Sequence, residues 1–134
     1  MVSHRNVLDG LLDQVSRHPD AAAIRTYDGE TWSWRDYLDR AARFAGGLRA
    51  LGLRPGERVV LMLRNRREFH VADVGALLAG ATPISIYNSS SPEQISYLAS
   101  HCEAAIVVTE GGDFVERVQS ADLPTVRHVV VVDG

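Results

Sequence analysis

The sequence contains no lysine; its basic residues are fourteen arginines. That absence excludes Schiff-base catalysis, a Walker-type lysine on a phosphate and any lysine neutralising a phosphoryl transition state. Cysteine is limited to Cys102, so an intramolecular disulfide and a multi-cysteine metal site are both ruled out, and such thiol usage fits a cytoplasmic setting. His101 adjoins it in sequence but points to another helix face, which leaves Cys102 as a small apolar thiol at a helix end. Long apolar runs are missing as well. The longest, Val74 to Ala81, falls far short of the roughly 20 residues that span a membrane, so no transmembrane segment is expected. The first twenty residues carry charge throughout and lack the apolar core and cleavage site of a secretory leader. Fourteen basic against seventeen acidic residues leave a formal charge of −3, which offers a polyanion no electrostatic hold, and nucleic acid is excluded as an expected partner.

What is present describes one globular unit. At 134 residues, with 46% hydrophobic and 23% charged residues, the chain is a single domain at most and can bury a core. It divides into a preface over residues 1–57 and βα units over residues 58–134. In the preface, Leu8, Leu11, Leu12 and Val15 recur at helical spacing behind the possible cap Asn6, and Pro19 ends that helix. Strands at Ala21 to Tyr27 and Glu30 to Trp34 flank Asp28-Gly29, a dipeptide suited to a two-residue hairpin, with Trp32 and Trp34 on one strand face as packing anchors. Ser33 caps a second helix with Asp36 three residues on; Leu38, Ala41, Ala45 and Leu48 form its apolar stripe, and Gly52 closes it.

From Arg58 strands and helices alternate: strand Val59 to Leu63, helix Glu68 to Gly80, strand Thr82 to Ile86, helix Pro92 to His101, strand Ala104 to Thr109, helix Phe114 to Ser120 and strand His128 to Val132. That alternation implies an α/β fold with a mainly parallel sheet behind the amino-terminal helix and hairpin. The closing VVVVDG places a four-valine strand at the end of the sequence, where an edge strand would ordinarily be shortened or charged, and is read as a chain cut within a larger sheet.

Chemical signatures are few. GALLAGAT (Gly75 to Thr82) has the glycine spacing of a phosphate loop but no lysine, and it falls at a helix end, where helix packing and a C-cap account for it. No GxGxxG, GxSxG or HExxH is present, and His4, His18, His70, His101 and His128 are scattered without ligand spacing, so no catalytic, cofactor-binding or metal-binding residue is assigned. Two places remain. One is the hydroxyl- and amide-rich loop Tyr87, Asn88, Ser89, Ser90, between a buried strand and a helix start at Ser91-Pro92-Glu93-Gln94 with an N-cap oxygen and a first-turn proline. In an open α/β sheet it lies at the carboxyl end of its strand, where ligand clefts form beside helix N-termini that favour anions. The other is Arg64, Arg66 and Arg67 just after the Val59 to Leu63 strand, at the same edge. It is either an anion site or a solvated loop partly neutralised by Glu68.

Taken together, LGLRPGERVVLMLRNRREF, GALLAGATPISIYNSSSPEQ, HPDAAAI, the Thr31 to Gly52 run and AAIVVTE resemble the amino-terminal part of the adenylate-forming acyl-CoA synthetases over nearly the whole chain. The nearest likeness is to the long-chain fatty acid:CoA ligases, whose block runs IYxTSSxEQ; Ser89 stands in place of the threonine, and Arg67 where many members have proline. The resemblance implies a parent reaction in which a carboxylate attacks the α-phosphorus of ATP, giving an acyl-adenylate and pyrophosphate, after which the CoA thiol displaces AMP. It implies ATP, Mg²⁺ and CoA for the complete enzyme, a fatty acid as its substrate, and the remainder of the synthetase or a full-length homologue as partner. The family's phosphate loop, Thr-Glu pair, ribose-binding aspartate and late lysine have no counterpart in these 134 residues. The expectation is therefore a fragment inactive alone and marginally stable. Alternatives are a non-catalytic module pairing with a full-length relative, and an unrelated flavodoxin-like or receiver-like domain, the last disfavoured for want of an acidic pocket with a lysine or of a phosphate loop.

Overall fold

Local signals set the preface. In the computed structural model, which describes residues 6–132, Asn6 opens helix α1 (Val7–Arg17) with a reciprocal cap: its side chain accepts the Asp9 N–H at 3.0 Å, and the Asp9 carboxylate accepts the Asn6 N–H at 3.0 Å. His4 and the closing Asp133-Gly134 lie outside the described residues. Strands β1 (Ala22–Arg25) and β2 (Thr31–Ser33) pair antiparallel. Their turn differs from the two-residue expectation. The Thr26 N–H donates to the Glu30 carbonyl at 2.8 Å and the Gly29 N–H to the Thr26 carbonyl at 3.0 Å, so Tyr27, Asp28 and Gly29 form a three-residue loop with Gly29 at φ +91°. The Asp28 carboxylate selects this geometry by accepting from both the Thr26 hydroxyl and the Glu30 N–H.

A second correction concerns the tryptophans. Ser33 ends β2 because its hydroxyl accepts the Asp36 N–H at 3.1 Å, which makes Trp34 the first residue of α2 (Trp34–Ala50). Trp32 alone belongs to the strand, buried beneath Arg40 and Arg67, whereas Trp34 packs with Leu8, Leu11 and Tyr37 in the cluster that joins α1 to α2.

The βα part follows: β3 (Arg58–Met62), α3 (Arg67–Leu78), β4 (Thr82–Ser85), α4 (Pro92–His101), β5 (Ala104–Glu110), α5 (Asp113–Gln119) and β6 (His128–Val132). These strands form one parallel sheet in the order β4-β3-β5-β6. Alternate residues of the two middle strands face opposite layers. Val59, Leu61, Ile106 and Val108 meet Ala45 and Leu48 of α2 and Ala72 and Ala76 of α3. Val60, Met62 and Val107 meet Ile95 and Ala99 of α4 and Phe114 and Val118 of α5. Burial on both faces explains why β3 reads as an unbroken apolar run. Each fully buried side chain of this kind contributes about 1.5–3 kcal/mol, so Val59, Val60, Leu61 and Met62, all at 0% exposure, carry a large share of the stability.

Glycine sets one helix contact and one exit. Gly75 of α3 lies against Phe44 and the Ala41 carbonyl of α2, leaving no room for a side chain, and Gly80, at φ +81°, turns the chain out of α3 toward β4. GALLAGAT is thus helix packing and a helix stop. Among the described residues no helix is long and apolar enough to cross a membrane.

Candidate functional site at the carboxyl edge of the sheet

The chain leaves β3 toward the α3 layer and leaves the adjacent β5 toward the α5 layer, so the crevice between these two strand ends is the topological switch point, the usual ligand position in open α/β sheets. Three loops border it: Leu63 to Arg66, Ile86 to Ser91, and Gly111-Gly112.

Glu110, the last residue of β5, occupies the crevice itself. Its side chain is 7% exposed; one carboxylate oxygen accepts the Arg64 backbone N–H at 2.7 Å, and the other lies 3.5 Å from the Arg66 guanidinium and 3.9 Å from that of Arg64. A buried carboxylate is tolerated when hydrogen-bonded and paired in this way. Arg66 also binds Glu68 at 2.9 Å, and this contact holds the Glu68 carboxyl below its ordinary range while raising Arg66. Arg67 turns away from the crevice. It pairs with Glu30 of the hairpin and with Glu68, and its guanidinium lies 4.9 Å from the Trp32 ring centre, with Arg40 at 4.3 Å from the same ring. The three arginines therefore do not converge on one point. Arg64, two-thirds exposed, leans over Phe114 and borders the mouth of the crevice.

The serine loop has an exposed rim and an anchored base. Tyr87, Asn88 and Ser89 are exposed, whereas Ser90 is buried, its hydroxyl donating to the Tyr87 carbonyl at 2.7 Å. Arg117 of α5 donates to the Ser90 carbonyl at 2.6 Å and pairs with Asp113 at 3.3 Å, which ties this loop to the layer behind it. Tyr87 and Asn88 meet Arg64 and Asn65 around a depression of about 290 Å³ floored by Leu63, Ile86 and Phe69. The two sequence-predicted places are thus brought together through Arg64 alone. The α4 N-terminus is closed by its own cap: Ser91 accepts the Gln94 N–H at 3.2 Å, and Gln94 accepts the Ser91 N–H at 2.8 Å. Glu110 and Arg117 were not singled out by sequence reasoning; an acid closing an otherwise apolar strand was the one available signal for Glu110.

These groups fit a nucleotide triphosphate poorly. Arg64 and Arg66 already face Glu110, Glu68 adds to the neutralisation, and among the described residues no group of three His, Cys, Asp or Glu side chains could hold a metal ion. What the arrangement does provide is a polar, rigidly braced rim above a parallel sheet.

A parallel sheet layered by helices and carrying its polar loops at the carboxyl edge defines an open α/β domain. The chain belongs to the AMP-binding enzyme family, whose model matches residues 11–134. Among curated relatives it is 44% identical over 117 residues to the uncharacterized protein Rv1549 of Mycobacterium tuberculosis, covering 87% of this chain and 66% of that protein. It is 31% identical to the 2,3-dihydroxybenzoate-AMP ligase of Bacillus subtilis, covering 92% and 24% of the two, and 29% identical to the long-chain-fatty-acid–CoA ligase ACSBG2 of Xenopus laevis, covering 88% and 17%. The structure of the anthranilate CoA ligase AuaEII with anthranoyl-AMP superposes with a TM-score of 0.89 at 24% identity, over 98% of this chain and 26% of that one. The N-terminal domain of FACL13 from Mycobacterium tuberculosis superposes with a TM-score of 0.87 at 23% identity, over 96% and 34%. These two superpositions establish the fold. The chain spans about a quarter or less of the two ligases named among its curated relatives.

Proposed function

We propose that these 134 residues are scaffold from the front of a carboxylate-activating, AMP-forming ligase, and that alone they neither adenylate a carboxylic acid nor hold ATP tightly. The observation that carries this reading is the state of the crevice: the position where an open α/β sheet ordinarily receives a ligand holds the protein's own buried Glu110, with Arg64 and Arg66 turned onto it. A phosphoryl group accumulating negative charge needs preorganised cations or donors that are not already neutralised. Under this reading ATP, Mg²⁺ and CoA are handled by the remainder of the synthetase or by a full-length homologue, and the Tyr87 to Ser90 loop braces the cleft wall through Arg117.

A fatty acid is the preferred substrate of the parent enzyme, supported by the IYNSSSPEQ block and by the fatty-acid ligase among the relatives. The aryl-acid ligase among those relatives makes an aromatic carboxylate the comparison to run beside it. The test is ATP–pyrophosphate exchange on the purified 134-residue polypeptide with palmitate, laurate, benzoate and 2,3-dihydroxybenzoate. No exchange above the enzyme-free control is expected with any acid, and acid-dependent exchange would overturn the proposal.

A further inference from the structure

We propose that the donors around Glu110 form a preshaped site for a small carboxylate, and that the chain's own Glu110 fills this site and keeps external anions out of the crevice. Such a role rests, as the proposed function does, on the crevice being the ligand position of the sheet. Donors and acceptor come from separate segments: Arg64 and Arg66 lie in the loop between β3 and α3, whereas Glu110 ends β5, 46 residues beyond Arg64. Glu110 is thus an occupant of the site and no part of its wall.

Both ends of a planar carboxylate are used. One oxygen accepts the Arg64 backbone N–H at 2.7 Å, while the other faces Arg66 Nη1 at 3.5 Å and Arg64 Nε at 3.9 Å. A spherical ion such as chloride offers no second oxygen. With the Glu110 side chain 7% exposed, these contacts are made away from bulk water, where a charge-assisted hydrogen bond is stronger than at the surface.

Each donor also has a support that does not involve Glu110. The Arg64 N–H is fixed by its backbone, since Leu63 before it is buried and the Arg64 carbonyl accepts the Arg66 N–H at 2.8 Å. The Arg66 guanidinium is held by Glu68 at 2.9 Å, and that of Arg64 lies 5.1 Å from the Phe114 ring centre. Taking away the Glu110 carboxylate therefore leaves the donors standing around an empty place. Two guanidiniums face two carboxylates in the native chain, Glu110 and Glu68, so an external anion meets no net attraction; without Glu110 one positive charge is uncompensated beside an N–H lacking its acceptor. Arg64, two-thirds exposed, borders the mouth and gives a small ion a way in.

Formate, a carboxylate without an alkyl group, is the probe. Urea unfolding of Glu110→Ala at neutral pH is followed in sodium formate up to about 300 mM and in sodium chloride at the same ionic strength; at about ten times its dissociation constant formate should set the midpoint about 1 M above that in chloride. The native chain and Glu110→Gln, whose side chains fill the site, should show no formate-specific shift. Should Glu110→Ala fail to fold in chloride, recovery of its circular dichroism in formate is the expected result. Formate that neither raises the midpoint nor restores the fold of Glu110→Ala would overturn the proposal, as would an equal shift in the native chain or in Glu110→Gln. ATP–pyrophosphate exchange reports separately on the proposed function, so a missing formate effect without exchange sinks this site alone, and exchange beside a formate effect sinks the scaffold reading alone.

Discussion

Two glycines in helices that pack on each other should respond to the same substitution with opposite signs. At Gly75 an added Cβ would lie 2.9 Å from Phe44 Cδ1, 3.1 Å from the Ala41 carbonyl oxygen and 3.2 Å from Phe44 Cβ. The Phe44 ring can tilt, but the other two atoms move only with the α2 backbone, so the substitution overpacks the contact at about 1–3 kcal/mol. Replacing glycine by alanine within a helix returns about 1 kcal/mol of propensity, which leaves Gly75→Ala net destabilising by about 1 kcal/mol. Gly46, exposed in α2, has no atom within 4 Å of an added Cβ, so Gly46→Ala keeps the whole propensity gain of about 1 kcal/mol. With a urea slope of about 1.5 kcal/mol/M, the two midpoints should stand about 1.3 M apart on either side of the native one. Gly75→Ala proving as stabilising as Gly46→Ala would refute the close approach of α2 and α3.

Two further outcomes follow from ion pairs. Hydrogen bonds from Arg127, at 2.9 Å to each carboxylate oxygen, lower the Glu57 carboxyl to about 2; a depressed folded value means that its stabilisation is present above the unfolded value near 4.5 and is lost as pH falls toward 2. Because the pair is partly exposed, the unfolding free energy from urea titration should fall by about 1 kcal/mol or less over that window, and Glu57→Gln should flatten this part of the profile. At the crevice, Glu110→Ala strands the Arg64 N–H and removes one of the carboxylates that face Arg66, which keeps Glu68, and should cost about 1–3 kcal/mol, while Glu110→Gln, which keeps an acceptor for that N–H, should cost about half as much by the same measurement.

How much of this was legible in the sequence varies with the range of the interaction that decides it. Helix α4 could be read because its cap, Ser91 through Gln94, is closed within four residues, and β3 because burial on both faces leaves an unbroken apolar run. The hairpin turn was misread because the choice between a two- and a three-residue loop rests on side-chain bonds to Asp28, which the Asp-Gly pair alone does not reveal. Trp34 was placed on a strand because β propensity says nothing about a serine cap cutting that strand short. The arginine cluster shows the clearest limit. Three guanidinium groups within four residues suggest one site, yet their directions are set by Glu30 and Glu110, which stand far from them in the chain.

The central place of β5 has a bearing on how this domain comes apart. All seven of its residues are buried, held between β3 and β6 and covered by helices on either side, so its amides are shielded until the whole sheet parts. Helix α1, by contrast, offers Leu11 as its one buried residue, and can peel from the α2 and α3 surface without disturbing any ladder. Solvent and proteases would enter from the amino-terminal side first, leaving the sheet as the last cooperative unit to melt.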